Sequence, residues 1–377
     1  MKIAIIMPLA EQRGGGELML WHLMQQGRDA GVEWVVIFTE PGPMVAQVAE
    51  LGIETHVVEA GRLRQVPRLA LTVFRIAALL RRVQAGAVFS WMSKSHLYGS
   101  PAAGLVGIPA YWYQLGMPSK ASRLELAATL LPAQGVLACS IAGARAQARM
   151  LPPRPLAVVY PGVELERFDP ACLPAPAEAR RRLGLPADGP LIGIVGRLQH
   201  WKGIHVLIEA MPLVLQRYPD AHCVVVGGPH ALEAEYAPYL ERWIKELGLT
   251  QAVTLTGLQS NVPEWMQALD IFVHASDREP FGIVIIEAMA LGKPVIAGNS
   301  GGPTEIMTDG VHGLLTPFGD ADALAAALLR YLAEPDLALR LGLAAQERAR
   351  EFSTQNYAAN FITALNRLHT SKEQNFE

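Results

Sequence analysis

Short, almost wholly apolar runs alternate along this chain with longer stretches whose apolar residues recur at helical spacing. In the first half the apolar runs fall at 3–7, 34–38, 55–58, 87–89, 110–113 and 136–138, and each predicts a strand. Strands apolar on both faces need cover on both sides, which means a parallel sheet with helices above and below. A helix over 17–30 fits between the first two strands. Nine prolines between 151 and 190 break the rhythm and predict a linker with one short helix. The alternation then restarts, with strands at 191–195, 221–226, 254–256, 271–274, 294–297 and 313–315. Helices are predicted near 203–217, 234–247, 262–268, 283–291 and 321–332, and helical patterning continues over 338–368. The expected fold class is therefore α/β, with two doubly wound, Rossmann-like domains, 1–165 and 166–352. A last helix over about 353–377 would return to the first domain. Ligands of such sheets sit beyond the carboxyl ends of the strands. Two sheets facing across a central cleft would bring two ligands together.

Charge adds an asymmetry that the total of −3 hides. Residues 1–160 hold fifteen Lys/Arg and nine Asp/Glu, a net of +6; the remainder holds seventeen and twenty-six, a net of −9. The basic half is expected to face something anionic. Part of that charge is concentrated: Arg62, Arg64, Arg68, Arg75, Arg81 and Arg82 surround an apolar stretch over 69–80. At helical spacing this gives a basic amphipathic helix suited to an anionic membrane surface. The competing reading turns Leu69, Val73, Ile76 and Leu80 to the core and leaves the arginines solvated. Both hold if only the arginine edge touches lipid. The 51% hydrophobic content of 377 residues is enough to bury two cores. Cys139, Cys172 and Cys223 have no paired or metal-type spacing and fit a reducing compartment. The opening residues are too soon interrupted for a signal peptide, and no apolar run reaches the roughly 18 residues of a membrane span. The expectation is a soluble, cytoplasmic protein, peripheral on the inner membrane face, with no nucleic-acid partner.

Gly14-Gly15-Gly16 follows the first strand and opens a helix, where glycine lets a phosphate approach the backbone. Met19 occupies the last glycine position of a dinucleotide fingerprint, and no G-x-x-x-x-G-K-[ST] occurs. Asp320-Ala321-Asp322 is read as a helix cap rather than a metal motif, and no His/Cys cluster suggests zinc. The richest segment is Ser276-Asp277-Arg278-Glu279-Pro280-Phe281-Gly282-Ile283-Val284-Ile285-Ile286-Glu287. Glu279 would sit at a strand's carboxyl end and Glu287 in the helix that follows. Two carboxylates so placed can accept hydrogen bonds from two sugars, or they cap and solubilise the helix. A second segment, Gly196-Arg197-Leu198-Gln199-His200-Trp201-Lys202-Gly203, brings two cations to the same edge. A guanidinium fork and an ammonium suit a pyrophosphate. Neither has an acidic partner nearby in sequence, so both are expected to await an anion.

GRLQHWKG, EPFGIVIIEAMALGKPVIA and GGPTEIMTDGVHGLL together resemble glycosyltransferase family 4. The likeness is strongest over about 190–320. In the first half, Gly14–Gly16 and Tyr160-Pro161-Gly162-Val163 match. The resemblance implies a GT-B fold and a retaining transferase that needs no metal or other cofactor. Its co-substrate would be a UDP- or GDP-sugar, and its acceptor a glycan or lipid-linked sugar. Arg197 and Lys202 would bind the donor diphosphate, Glu287 the ribose and Glu279 the transferred sugar. The backbone at Phe281, Gly282 and Ile283 would meet sugar hydroxyls or phosphate. Gly15 and Gly16 would approach the phosphate from the other domain, and Asn261 and Val262 would border the base. Many members carry a histidine where this chain has Gln114. A glutamine can hydrogen-bond a sugar on the acceptor side but cannot take its proton. A sugar-nucleotide epimerase, a glycan phosphorylase and a non-enzymatic sugar-nucleotide scaffold share the architecture and stand as rivals.

Overall fold

The structure is a computed structural model that describes residues 1–12, 14–27 and 31–370. The end of the helix expected over 17–30 and the terminal stretch 371–377 lie outside the described residues.

The chain forms two compact units, Met1–Gly162 with the described residues from Thr354 on, and Val163–Ser353. The first unit holds strands β1 (Lys2–Met7), β2 (Glu33–Phe38), β3 (Glu54–Val57), β4 (Ala87–Trp91), β5 (Ala110–Gln114), β6 (Gly135–Ala138) and β7 (Leu156–Val158). Its helices are α1 (Gly15–Gly27), α2 (Pro43–Glu50), α3 (Val66–Arg82), α4 (Met92–Val106), α5 (Arg123–Leu130) and α6 (Ile141–Ala148). The second unit holds α7 (Pro176–Leu183), β8 (Leu191–Val195), α8 (Ile204–Arg217), β9 (His222–Val226), α9 (Tyr236–Glu246) and β10 (Val253–Leu255). It continues with α10 (Val262–Ala268), β11 (Ile271–His274), α11 (Ile283–Ala290), β12 (Val295–Gly298), α12 (Pro303–Ile306), β13 (Leu314–Thr316), α13 (Ala321–Ala333) and α14 (Pro335–Ala349). A final helix, α15 (Thr354–Thr370), belongs to the first unit.

Every named strand pair is parallel, in the orders β3-β2-β1-β4-β5-β6-β7 and β10-β9-β8-β11-β12-β13. The apolar runs account for this. Ile5 of β1 pairs with Val36 and Phe89 on its two sides, and all three are fully buried. Ala4, Ile6, Val35 and Ile37 meet Val73, Ile76 and Leu80 of α3 and Tyr98 of α4. The aromatic residues Phe89, Trp91 and Tyr113 gather around Phe361 of α15, at ring distances of 4.9, 5.9 and 5.7 Å. Burying a side chain such as Phe361 contributes about 1.5–3 kcal/mol. The proline-rich stretch contains a strand, β7, besides the expected short helix α7. The helical pattern over 338–368 is two helices, interrupted at Arg350–Phe352 by one 3-10 turn. Among the described residues no helix is long and apolar enough to cross a membrane.

Candidate active site

In the second unit the chain winds outward one way through β8, β9 and β10 and the other way through β11, β12 and β13. The reversal falls between β8 and β11, which pair directly. Loops leaving the carboxyl ends of two such strands bound the crevice where open α/β sheets take ligands. The loop after β8 carries Arg197 and Lys202, and the loop after β11 carries Glu279. The Asp277 N–H donates to the Trp201 carbonyl at 2.8 Å and ties the loops together.

Lys202 corrects the expectation of an unpartnered cation. Its Nζ donates to Glu279 Oε2 at 2.6 Å and lies 4.0 Å from the Trp201 ring centroid. Strand adjacency at the reversal joins the two charges, whatever their distance in sequence. Arg197 does stand free: it is exposed and makes no hydrogen bond or ion pair among the described residues.

Glu279 is 7% exposed. Burial pushes its carboxyl pKa up, but the Lys202 ammonium and the His274 side chain outweigh that and hold it at about 2. His274 ends β11, fully inside, with Nε2 3.2 Å from both Glu279 Oε2 and Ser276 Oγ. Its Nδ1 is buried without a hydrogen-bond partner among the described residues.

Two glycines allow the loops to come this close. Gly203 turns the first loop into α8 at φ 69°, and a Cβ there would lie 2.0 Å from the Ala275 carbonyl oxygen. The Gly302 N–H donates to the Glu279 carbonyl at 2.8 Å, and a Cβ on Gly302 would lie 2.2 Å from Phe281 Cα.

Phe281 is buried, Gly282 is the N-cap residue of α11, and Ile283 is its first helical residue. No side chain caps α11, so the capping reading of the two glutamates is set aside. The Ile285 N–H donates to the Gly282 carbonyl at 2.9 Å, and the N–H groups before it have no intrahelical acceptor. Glu287 is buried in the same helix, and its carboxylate makes no hydrogen bond among the described residues. Burial raises its pKa to about 7, with Arg167 opposing and Glu164 adding to the shift. Asn261 precedes α10, accepts from Trp265 Nε1 at 3.0 Å and donates to Glu264 at 3.2 Å. Val262, half-buried, starts that helix.

Sequence reasoning missed Glu233. Its Oε2 accepts the His200 N–H at 2.7 Å and its Oε1 accepts from Gln199 Nε2 at 3.0 Å, which fixes the loop between Arg197 and Lys202. Asp320 caps α13, its Oδ1 accepting the Ala323 N–H at 2.8 Å.

In the first unit the reversal lies between β1 and β4. Gly15 and Gly16 open α1 there, and the Trp91 indole N–H at the end of β4 donates to the Gly16 carbonyl at 2.8 Å. Gln114 ends β5 and is buried. Its amide nitrogen donates to Glu125 at 2.7 Å and its oxygen accepts the Gly116 N–H at 3.0 Å, so this structure already engages both ends.

The loops after β8 and β11 thus carry an exposed guanidinium and an ammonium paired to a buried carboxylate, and the helix that follows carries a second buried carboxylate. The chain belongs to glycosyltransferase family 4, with the two Rossmann-like domains of the GT-B fold. The family profile for glycosyl transferases group 1 matches residues 177–348, and that for glycosyltransferase family 4 matches 13–167. HepE of Anabaena, solved with UDP-glucose, is 27% identical, with a TM-score of 0.83 over 97% of this chain and 100% of that one. Sucrose-phosphate synthase of Thermosynechococcus elongatus is 25% identical, with a TM-score of 0.84 over 98% and 99%. D-inositol 3-phosphate glycosyltransferase of Corynebacterium urealyticum is 36% identical over 225 residues, 58% of this chain and 53% of that protein. The chain spans about half the length of the curated relatives it matches.

Proposed function

We propose that this protein is a retaining, metal-independent glycosyltransferase. It would move a hexose from a UDP- or GDP-sugar to an acceptor hydroxyl, in the assembly of a polysaccharide or glycolipid. The observation that carries the reading is the meeting of Lys202 and Glu279 at the sheet reversal, beside the unpaired Arg197. A UDP donor is favoured because HepE, 27% identical over nearly the whole chain, was solved with UDP and with UDP-glucose.

Negative charge grows on the leaving diphosphate as the bond from the sugar's anomeric carbon to the phosphate oxygen breaks. Arg197 and Lys202 stabilise that charge; removing one preorganised donor of this kind costs about 3–4 kcal/mol. Glu279, ionised, accepts hydrogen bonds from the hydroxyls of the transferred sugar, and Glu287 accepts from the ribose. The acceptor oxygen attacks on the face the diphosphate leaves, and its proton passes to the departing phosphate oxygen. Stereochemistry is thereby retained without a side-chain nucleophile.

The acceptor is a glycan or a lipid-linked sugar, met on the cytoplasmic side of an anionic membrane. Residues 60–124 contain nine Lys/Arg and no Asp/Glu. α3 buries Val73, Ile76 and Leu80 yet leaves Val66, Leu71 and Phe74 at 70%, 48% and 62% exposure among its arginines. Such a face combines apolar insertion with attraction to anionic lipid.

A donor screen tests the central reading: release of nucleoside diphosphate from a set of UDP- and GDP-sugars, with and without oligosaccharide or lipid-linked acceptors. Acceptor-dependent release is expected from one donor. No release from any donor would overturn it.

A further inference from the structure

We propose that His274 is a positioning residue, which holds Glu279 in place while Lys202 turns to the donor diphosphate. This rests on the donor roles given above.

One oxygen of Glu279 is approached by two nitrogen groups. Lys202 approaches from the β8 loop and His274 from the end of β11, both onto Oε2. These are the two charged or titratable groups that act on Glu279 among the described residues. They differ in where they can go. The Lys202 ammonium sits on a flexible stem at a half-buried place, and its three N–H groups can be divided between Glu279 and an arriving phosphate. The imidazole is enclosed, 2% exposed, and among the described residues has no competing hydrogen-bond partner at Nδ1. Its contacts within the site are all made through Nε2, toward Glu279 and Ser276.

A diphosphate entering beside Glu279 adds negative charge next to a buried carboxylate and draws away part of its countercharge. Both changes favour protonation of Glu279. A protonated or rotated Glu279 offers the sugar one acceptor fewer. The bond from His274 arrives from the interior, where no ligand competes, so it persists through donor binding and keeps the carboxylate ionised and aimed. The residue therefore acts through Glu279 and not on the substrate.

The experiment compares wild type, His274→Leu, which keeps apolar bulk but no donor, and His274→Gln, whose amide Nε2 can still reach Glu279. Three quantities are read: kcat and KM for the donor across pH, affinity for UDP by calorimetry, and Tm. For His274→Leu the expectation is a kcat lowered about tenfold or more, with KM and UDP affinity within about threefold of wild type. The acid limb of kcat moves to higher pH. His274→Gln recovers most of kcat. Should the Leu variant fail to fold, His274→Asn, too short to reach the carboxylate, carries the same expectations. An unchanged kcat and acid limb in a folded Leu or Asn variant overturns the proposal. So does a folded Gln variant as impaired as Leu. A wild-type protein inactive with every donor would instead remove the transferase reading itself.

Discussion

Lys202 Nζ and Glu279 Oε2 lie 2.6 Å apart across 77 residues of sequence. The contact exists because β8 and β11 are neighbours at the reversal of their sheet, and each loop leaves from the same edge. Each charge is the other's ion-pair partner. A diphosphate must compete for the ammonium, whereas Arg197 is available at once.

That difference separates the two cations in mutants. Arg197→Ala and Lys202→Ala should each cut turnover by about two orders of magnitude. Arg197→Ala should leave stability within about 0.5 kcal/mol of wild type, because the side chain is exposed and unpaired. Lys202→Ala strands a buried carboxylate and should cost about 3 kcal/mol, the low end for a broken buried pair because His274 Nε2 remains 3.2 Å from it. Urea denaturation checks this, and adding Glu279→Gln to Lys202→Ala should recover most of the loss. Equal stabilities of the two single mutants would contradict the pairing.

Glu287 should make stability and donor binding run in opposite directions with pH. Its folded pKa of about 7 stands above the ordinary 4.5. The folded state then holds a proton that the unfolded state has lost. This stabilising contribution is full below about pH 4.5 and disappears as pH rises to about 7. A ribose contact needs the carboxylate, so affinity for a nucleotide sugar should rise across the upper part of that window. Calorimetry with UDP-glucose at pH 5.5 and 8, on wild type and Glu287→Gln, isolates the effect. A pH dependence that survives in the Gln variant would assign it to another group.

Transfer should continue in excess EDTA, since Arg197 and Lys202 supply the positive charge a divalent ion would bring. Loss of activity in EDTA that Mn²⁺ or Mg²⁺ restores would overturn this expectation.

The α3 face should bind vesicles containing phosphatidylglycerol at low salt. It should release them near 0.5 M salt, where the screening length is about 4 Å. Leu71→Ser/Phe74→Ser alters side chains that face outward, so Tm should hold while co-sedimentation falls. Arg81→Glu/Arg82→Glu should abolish it. Absence of binding to anionic vesicles at any salt would leave a soluble acceptor.

The layered fold was legible because its strands are contiguous apolar runs and its helices amphipathic. β7 was not, since three residues among prolines give no period to read. The break before α15 carries no glycine or proline, and so the helical pattern runs through it. At the candidate site, Arg197, Lys202, Glu279 and Glu287 were legible as types at recognisable offsets after strands. Their pairing was not, because contact across a sheet reversal depends on strand order. His274 read only as the last residue of an apolar strand. Glu233 ends a short 3-10 turn with no motif, 33 residues from the backbone it holds.

Unit boundaries at Gly162/Val163 and Ser353/Thr354 make the second unit, in connectivity, an insertion within the first. Its two ends are neighbours: Val163 bridges Ser353, and the Val163 N–H donates to the Phe352 carbonyl at 2.8 Å. A segment whose ends already touch can be excised, closed by a short linker or exchanged for a relative's as one cassette. The reverse operation fails, because stopping the chain at Ser353 deletes Phe361 from the middle of the remaining aromatic core.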